Sequence, residues 1–535
     1  MTDQPKYRVL VTDEVDPGGL QLLRDEPQIE VVEKPTRPLP ELLKEIGEYD
    51  ALIGRSATRI SREVLDGGKR LKVVGRAGVG VDNVDLERAT ELGIAVINAP
   101  GGNTISVAEL VYGMLISYLR HIPIAVDSMR DGEWRRSKLG GAELRGRTLL
   151  IVGLGRIGSE VARRGRSFGL RLIGYDPYVS SARFEEIGVE QMTDFHEALS
   201  IADVVTLHVP LTSETHGMVS RAELAKLRPT SMVLNFARGG IIDEDALLEA
   251  LQEERLGAAM LDVFASEPLA KDHPFRTLPN VMLTPHLGAS TAEAQRNVAL
   301  EACAAVRDAL VTGDLGAAIN AAGVGDTSLS EIRPLLHLAE RLGRIGRALL
   351  PEGISALELR YSGYRPSAAR PLLLGALQGA MQNVMDKRAI NLVNALHVAA
   401  ERGIETAWTH VSPQQEVGEE IEIRLKGDNE SLRVGGSLLG ESHSRITRIG
   451  DYRVDVAPKG TLLVLRNRDV PGVIGRVGTL LGESSVNIAE YHQARLNAGG
   501  EALAAVQIDS AVSSDLLDRI AALPEILDTK QVVME

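Results

Sequence analysis

A single cysteine, Cys303, stands in 535 residues, so no intrachain disulfide can form and a thiolate zinc site lacks its ligands. It falls in the apolar-periodic run 293–310 and reads as a small core residue. Aromatic residues make up only 3% of the chain, so its cores are built from Val, Leu, Ile and Ala. No apolar run is long enough to span a bilayer. Residues 1–6 are polar and lead directly into a strand pattern, unlike a signal peptide, and the expectation is a soluble, cytoplasmic protein without a membrane partner. Positive charge is also scarce: 59 Lys and Arg against 73 Asp and Glu leave a formal charge of −14. Binding a phosphate backbone calls for basic stripes, so nucleic acid is excluded as a general partner. A small anionic substrate, held by a few local arginines, is not. No metal site is assigned.

What is there is ordinary globular composition, 44% hydrophobic and 25% charged, on a chain too long for one core. Three or four domains are expected. Short apolar strands at 7–12, 29–32, 51–53 and 71–76 alternate with helical segments, the pattern of βαβ units on a parallel sheet. One long helical stretch, 106–130, leads to a second and clearer α/β unit. Its strands are expected at 148–152, 171–175, 204–208, 232–236, 258–262 and 281–284. A helix over 292–311 packs back on the first unit, which makes that domain discontinuous. Alanine-rich helices at 329–350 and 371–400 then alternate with strand-like pieces at 356–361 and 419–425. A compact βαββαβ-like module closes the chain.

Gly153, Gly155 and Gly158 form G-x-G-x-x-G directly after a strand and at the start of a helix. The first glycine permits a tight turn, the second lets backbone approach a pyrophosphate, and the third lets helix and strand pack closely. The helix N-terminus adds free N–H groups and positive potential. The next strand ends at Asp176, where a carboxylate accepts hydrogen bonds from the adenosine ribose and repels a 2′-phosphate. The cofactor expected is therefore NAD rather than NADP. His208, which precedes Val209-Pro210 at another strand end, lines the same crevice without reacting.

Three polar residues follow strands of this unit: Arg238 after Asn235-Phe236-Ala237, Glu267 in DVFASEP and His286 in TPHLGAS. Strand C-termini in an open parallel sheet converge on a ligand crevice. Oxidising a 2-hydroxyacid needs a base for the hydroxyl proton, a task suited to imidazole. A carboxylate beside the ring orients it, and an arginine grips the substrate carboxylate with two parallel hydrogen bonds. Taken singly, each residue has a bland alternative as a structural His, a solvated Glu or a capping Arg. In the first unit Arg55-Ser56, Arg76 before the glycines of AGVG (Gly78 among them) and Asn103 in GGNTIS are candidates for holding anions.

The runs GRAGVGVDNVD, GLGRIG, NFARGGIIDEDALLEAL, LDVFASEP and TPHLGAST together resemble the D-isomer-specific 2-hydroxyacid dehydrogenase family, most closely its 3-phosphoglycerate branch. The resemblance covers essentially the whole chain. It implies Arg238 as the substrate-orienting arginine, Glu267 as the partner carboxylate and His286 as the acid/base. It implies cofactor contacts at Gly155, Arg156, Ile157, Asp176, Asp262 and Gly288, beside His208, Pro210 and Ala237 along the crevice. The implied reaction is oxidation of 3-phosphoglycerate to 3-phosphohydroxypyruvate, the first step toward L-serine. The segment DGEWRRSK, with Trp134 and Arg135, lies at a subunit interface in this family, and a homo-oligomer (dimer or tetramer) is expected. An arginine from it, Arg135 here, is a candidate to reach the neighbouring site.

The implied architecture is a Rossmann-type NAD-binding domain (101–289) inserted in a flavodoxin-like substrate-binding domain (1–100 and 290–317). An α+β intervening domain (318–458) and a ferredoxin-like ACT domain (459–535) follow. ACT domains bind amino acids between paired modules, and Asp469 and Asn487 match positions that hold the ligand in serine-sensing members, so L-serine is a possible effector. Asn467 stands where some relatives carry an aromatic residue or His. Lys387, Arg388 and Arg445 are basic, but no spacing singles them out. Three other readings stay open: a reductase of glyoxylate, hydroxypyruvate or 2-oxoglutarate, an NADH-sensing scaffold, and a tail that only assembles subunits.

Overall fold

The computed structural model describes residues 7–321, 324, 329–350, 353–382, 390–413, 418–440 and 443–534. The N-terminal hexapeptide, Lys387 and Arg388 lie outside them. Four sheets divide the chain. The first has five parallel strands, in spatial order Ile29–Glu33, Tyr7–Val11, Ala51–Gly54, Val73–Arg76 and Ala95–Ile97. This is the flavodoxin-like order 2-1-3-4-5. The helix Ala292–Val311 returns to it, burying Val298, Ala302, Cys303 and Val306 in the same core as Val9, Val11, Ile53 and Val73. Cys303 is therefore a core residue, its thiol pushed up to about 12 by burial.

The second sheet has seven parallel strands and runs from Val281–Leu283 through Ala258–Leu261, Met232–Asn235, Val204–Leu207, Thr148–Val152 and Arg171–Tyr175 to Glu190–Gln191. It is the doubly wound order with one added strand. Thr148–Val152 and Met232–Asn235 are buried at every position, which is why they read as unbroken apolar runs rather than alternating ones. The expected helix 106–130 is two helices, Thr104–Leu119 and Ile122–Arg130. Pro123 lacks the N–H that would continue the first helix, and His121 turns the chain at φ +53°.

The third sheet has six strands, of which the second and third in spatial order, Ala356–Ser362 and Glu419–Lys426, pair antiparallel. Helices Arg333–Leu349 and Ala369–Ala380 pack on each other and on this sheet. The terminal sheet is antiparallel, in the order Ile488–Arg495, Glu501–Ile508, Thr461–Arg468, Ile526–Val533, and helices Val473–Glu483 and Ser514–Ala521 join its strands. This is the ferredoxin-like arrangement. The intervening unit is fastened to the first one by asparagines. Asn391 Nδ2 donates to Gly93 O at 2.8 Å. Asn320, near the start of that unit, accepts from Val96 N and donates to Ile94 O, both at 2.8 Å.

Candidate active site

The turn after Met232–Asn235 is closed by a buried side chain. Asn235 donates through Nδ2 to Arg238 O at 2.8 Å and accepts from Ala237 N at 3.1 Å, which fixes where Arg238 leaves the backbone. Beyond the next strand, Glu267 Oε1 accepts from Phe264 N at 3.0 Å, so one carboxylate oxygen is spent on holding its own loop. The other oxygen, Oε2, lies 2.7 Å from His286 Nδ1. With Nδ1–H donating there, the tautomer is set and Nε2 is left for other chemistry.

His286 adopts φ +56°, an uncommon conformation for a side-chain-bearing residue. Asp262, fully buried, stabilises it from behind. Its oxygens accept from Thr284 Oγ1 (2.6 Å), Leu287 N (2.7 Å) and Gly288 N (2.9 Å), and its carbonyl accepts from His286 N at 2.9 Å. Burial raises the Asp262 carboxyl above the ordinary aspartate range.

The opposite wall comes from the first sheet. Arg55 follows Ala51–Gly54, with its amide held by the Asp13 carboxylate, and Arg76 ends its own strand. The Nε atoms of both are buried without a hydrogen-bond partner among the described residues, as are Asn103 Oδ1 and Thr104 Oγ1. Burial, with the charges of Arg55 and Arg238 alongside, pulls Arg76 down to about 10. Unspent donors and crowded positive charge on one wall are a receptor for an anion. One expectation changes: the Gly78 amide is not free, because it donates to Arg76 O at 2.8 Å. Gly78 instead supplies room, since a Cβ there would lie 1.5 Å from Arg76 Nη1.

A cavity of about 430 Å³ gathers these groups: Arg55, Ser56, Arg76, Gly78 and Asn103 on one side, Arg238, Glu267 and His286 on the other. The site also holds residues that local sequence does not single out. Gln295, on the first turn of Ala292–Val311, and Asp82 both line the cavity, and Thr104 follows Asn103. Asp82 sits in VGVDNVD and looks like a turn residue until its partner, Arg238, is seen.

The dinucleotide crevice follows the glycine pattern. Gly153 has φ +89°, and a Cβ there would lie 2.6 Å from His208 O; at Gly158 it would lie 2.0 Å from Gly153 O. At Gly155 it would meet nothing, so that face is open, and the helix Arg156–Ser167 starts with no side-chain cap on its N–H groups. Ile157 is half-buried and Arg156 exposed on the first turn. Asp176 accepts from Leu154 N (2.8 Å) and Tyr178 N (3.0 Å), which ties the glycine loop to the end of the next strand. His208 Nε2 lies 2.9 Å from Thr206 Oγ1, while Nδ1 is enclosed without a partner. Burial takes its imidazole down to about 3, so it faces the crevice neutral. Pro210 is exposed beside it, and Ala237 is half-buried. An open glycine, an uncapped helix and an orphaned imidazole nitrogen fit a dinucleotide.

Two further sets of residues stay apart from this cavity. Arg135 pairs with Glu133 on the surface, next to the exposed Trp134. Asp469 accepts from Arg495 Nη1 at 3.1 Å and Gly499 N at 3.2 Å, whereas Asn487 donates to Asp509 at 2.9 Å. The strand register puts Asp469 and Asn487 at opposite ends of the terminal sheet, so one chain does not join them. Asn467 is fully buried.

Residues 112–288 match the family described as D-isomer specific 2-hydroxyacid dehydrogenase, NAD binding domain, and residues 331–450 match D-3-phosphoglycerate dehydrogenase intervening domain. The D-3-phosphoglycerate dehydrogenase of Methanocaldococcus jannaschii is 38% identical over 97% of this chain and 98% of its own. That of Bacillus subtilis is 38% identical over 98% and 99%. Among solved structures, a glyoxylate reductase from Paecilomyes thermophila matches with a TM-score of 0.54 and 30% identity, over 59% of this chain and 99% of its own. With the dehydrogenase core and the intervening segment both matched, and the likeness running nearly end to end, the chain belongs to the D-3-phosphoglycerate dehydrogenase family.

Proposed function

We propose that this protein oxidises 3-phosphoglycerate to 3-phosphohydroxypyruvate with NAD, the first step toward L-serine, through the residues of the 430 Å³ cavity. The reading rests on one observation: the cavity bounded by the His286–Glu267 pair is also bounded by Arg55, Arg76 and Arg238, so an acid–base pair shares its walls with donors for two anionic groups. Bound NAD supplies the hydride acceptor. His286 takes the C2 hydroxyl proton on Nε2, and Glu267 holds the ring through Nδ1. Arg238 grips the substrate carboxylate, while Arg55, Ser56, Arg76 and Asn103 hold the phosphate, with Gly78 giving Arg76 its space. Gly153, Gly155, Arg156, Ile157 and Gly158 take the pyrophosphate side of the cofactor. His208, Pro210, Ala237, Asp262 and Gly288 bound the rest of the crevice.

The test is NAD reduction with 3-phosphoglycerate against glycerate, glycolate and 2-hydroxyglutarate. A large preference for the phosphorylated acid is expected, and activity confined to a non-phosphorylated one overturns the assignment. Adding L-serine to the same assay examines the terminal module. Asp469 of one copy and Asn487 of another would form an effector site between paired ACT-like modules, and inhibition is the expected result. Neither inhibition nor binding of L-serine leaves the tail with assembly alone. For assembly itself, Ile122, Ile124, Val126, Met129 and Trp134 expose an apolar face suited to a second copy, and a homo-oligomer in the cytoplasm is the reading adopted. No helix among the described residues is long and apolar enough to cross a membrane. The four sheets support domain divisions near residues 100, 290, 318 and 459.

Asp176→Ala is expected to raise the NAD dissociation constant about 10- to 100-fold, since charge-assisted hydrogen bonds contribute about 1.5–3 kcal/mol each. The same change removes the charge that repels a 2′-phosphate, so NADP binding should hold or improve and the preference between the two should narrow. Titration with each cofactor checks this, and an unchanged ratio would remove Asp176 from the ribose site.

A further inference from the structure

Arg238 does not stand alone in the crevice. Its Nε donates to Asp82 Oδ2 at 3.0 Å and its Nη1 to Ala237 O at 2.7 Å. Asp82 lies in the glycine-rich turn beyond the strand Val73–Arg76 of the first sheet, whereas Arg238 follows Met232–Asn235 of the second. The ion pair therefore crosses from one wall of the cleft to the other. Gly80 makes the approach possible. A Cβ there would lie 1.9 Å from Arg238 Nη2 and 2.7 Å from Asp82 Oδ2, so a side chain at this position would displace the two paired groups.

Stability is a poor explanation for this pair. The Asp82 side chain is 67% exposed, and exposed ion pairs contribute little to folding. Orientation is a better one. A guanidinium has five N–H donors in a rigid fork. With Nε on Asp82 and one Nη1 hydrogen on Ala237 O, the donors that remain are those of Nη2 and the second Nη1 hydrogen. They form the parallel pair that matches a carboxylate. Without Asp82, nothing among the described residues accepts from Nε, and the long side chain must be fixed by the substrate itself. Asp82 also sets a negative charge against the crowded positive charge of Arg55, Arg76 and Arg238.

We propose that Asp82 is a positioning residue for the reaction, which holds the Arg238 guanidinium with its carboxylate-gripping edge toward the cavity from across the cleft. The inference rests on the assignment of Arg238 to the substrate carboxylate.

The test uses the full-length enzyme with Asp82→Ala and Asp82→Asn, each alone and in an Arg238→Lys background, with kcat and KM measured for 3-phosphoglycerate and NADH binding measured by fluorescence. Asp82→Ala is expected to lower kcat/KM about tenfold, the order of cost for immobilising one long side chain, with NADH affinity and melting temperature unchanged. Asp82→Asn, which keeps an oxygen acceptor for the Nε–H, should recover most of that loss. In the Arg238→Lys background, Asp82→Ala should have almost no further effect. A kcat/KM within twofold of the parent, a lower KM at unchanged kcat, no recovery with Asn, or a loss that multiplies with Arg238→Lys each overturns the proposal. If Arg238→Lys itself costs nothing, it is the underlying assignment of Arg238 that fails.

Discussion

Replacing His286 with alanine is expected to lower kcat by about 10³–10⁴-fold, toward the upper end for loss of a general acid–base group, while NADH binds within about twofold of the parent. Every contact that holds the ring is away from the dinucleotide glycines. Nδ1 faces Glu267 at 2.7 Å, and Nε2 has no partner among the described residues, so removing the imidazole removes the proton acceptor and little else. The loop should keep its shape, because Asp262 holds it through Leu287 N, Gly288 N and Thr284 Oγ1 rather than through the ring. Glu267→Gln is expected to fall between the parent and His286→Ala. It still accepts a hydrogen bond at Nδ1 but no longer places a negative charge behind the imidazolium. Steady-state rates beside NADH fluorescence titration decide the matter. Parallel loss of turnover and cofactor binding in His286→Ala would mean that the residue holds the cofactor instead of the proton.

Much of this site was legible in the sequence because its parts follow buried strands. Asn235, Asp262 and Thr284 come directly after apolar runs, and Arg238, Glu267 and His286 come within a few residues of them. In a parallel sheet the C-termini of strands share an edge, so sequence position alone placed these side chains together. The glycine spacing was readable for a similar reason, since the clash at Gly158 against Gly153 O is a property of the local turn. Asp82 was not readable: its partner lies 156 residues away, and a carboxylate among glycines carries no local sign of that.

The third sheet was the least legible part of the fold. Glu419–Lys426 alternates, with Ile421, Ile423 and Leu425 buried, and reads as a strand. Ser431–Leu439 holds paired glycines at Gly435 and Gly436, where the ladder to the next strand shifts register, and does not read as a strand. A glycine pair reads as a turn in sequence, yet here a Cβ on Gly436 would lie 2.9 Å from Leu338 of the packed helix, and the strand needs the gap. Asp469 and Asn487 show the opposite limit. Their residue types suggested a shared ligand, but the register of the terminal strands separates them, and only a second module can bring such a pair together.

Arg238→Ala is expected to lower kcat/KM by about 10²–10⁴-fold, again with NADH binding retained. Two charge-assisted hydrogen bonds to a carboxylate contribute about 1.5–3 kcal/mol each, and each 1.4 kcal/mol is a factor of ten. Arg55 and Arg76 cannot take over. Arg55 spends Nη1 on Glu14 O and Arg76 spends Nη1 on Ala77 O, and both leave backbone on the far wall of the cleft. Arg238→Lys separates charge from geometry. The lysine restores a positive point charge but not the planar fork, so its kcat/KM should remain at least about tenfold below the parent. The misorientation should appear in kcat as well as in KM, because a carboxylate held by one rotatable ammonium no longer fixes C2 against His286. Adding guanidinium ion to the alanine variant should restore part of the lost rate, as the cavity has room for the missing group. A lysine variant equal to the parent would show that Arg238 contributes charge alone, and the two-point grip on the carboxylate would have to be given up.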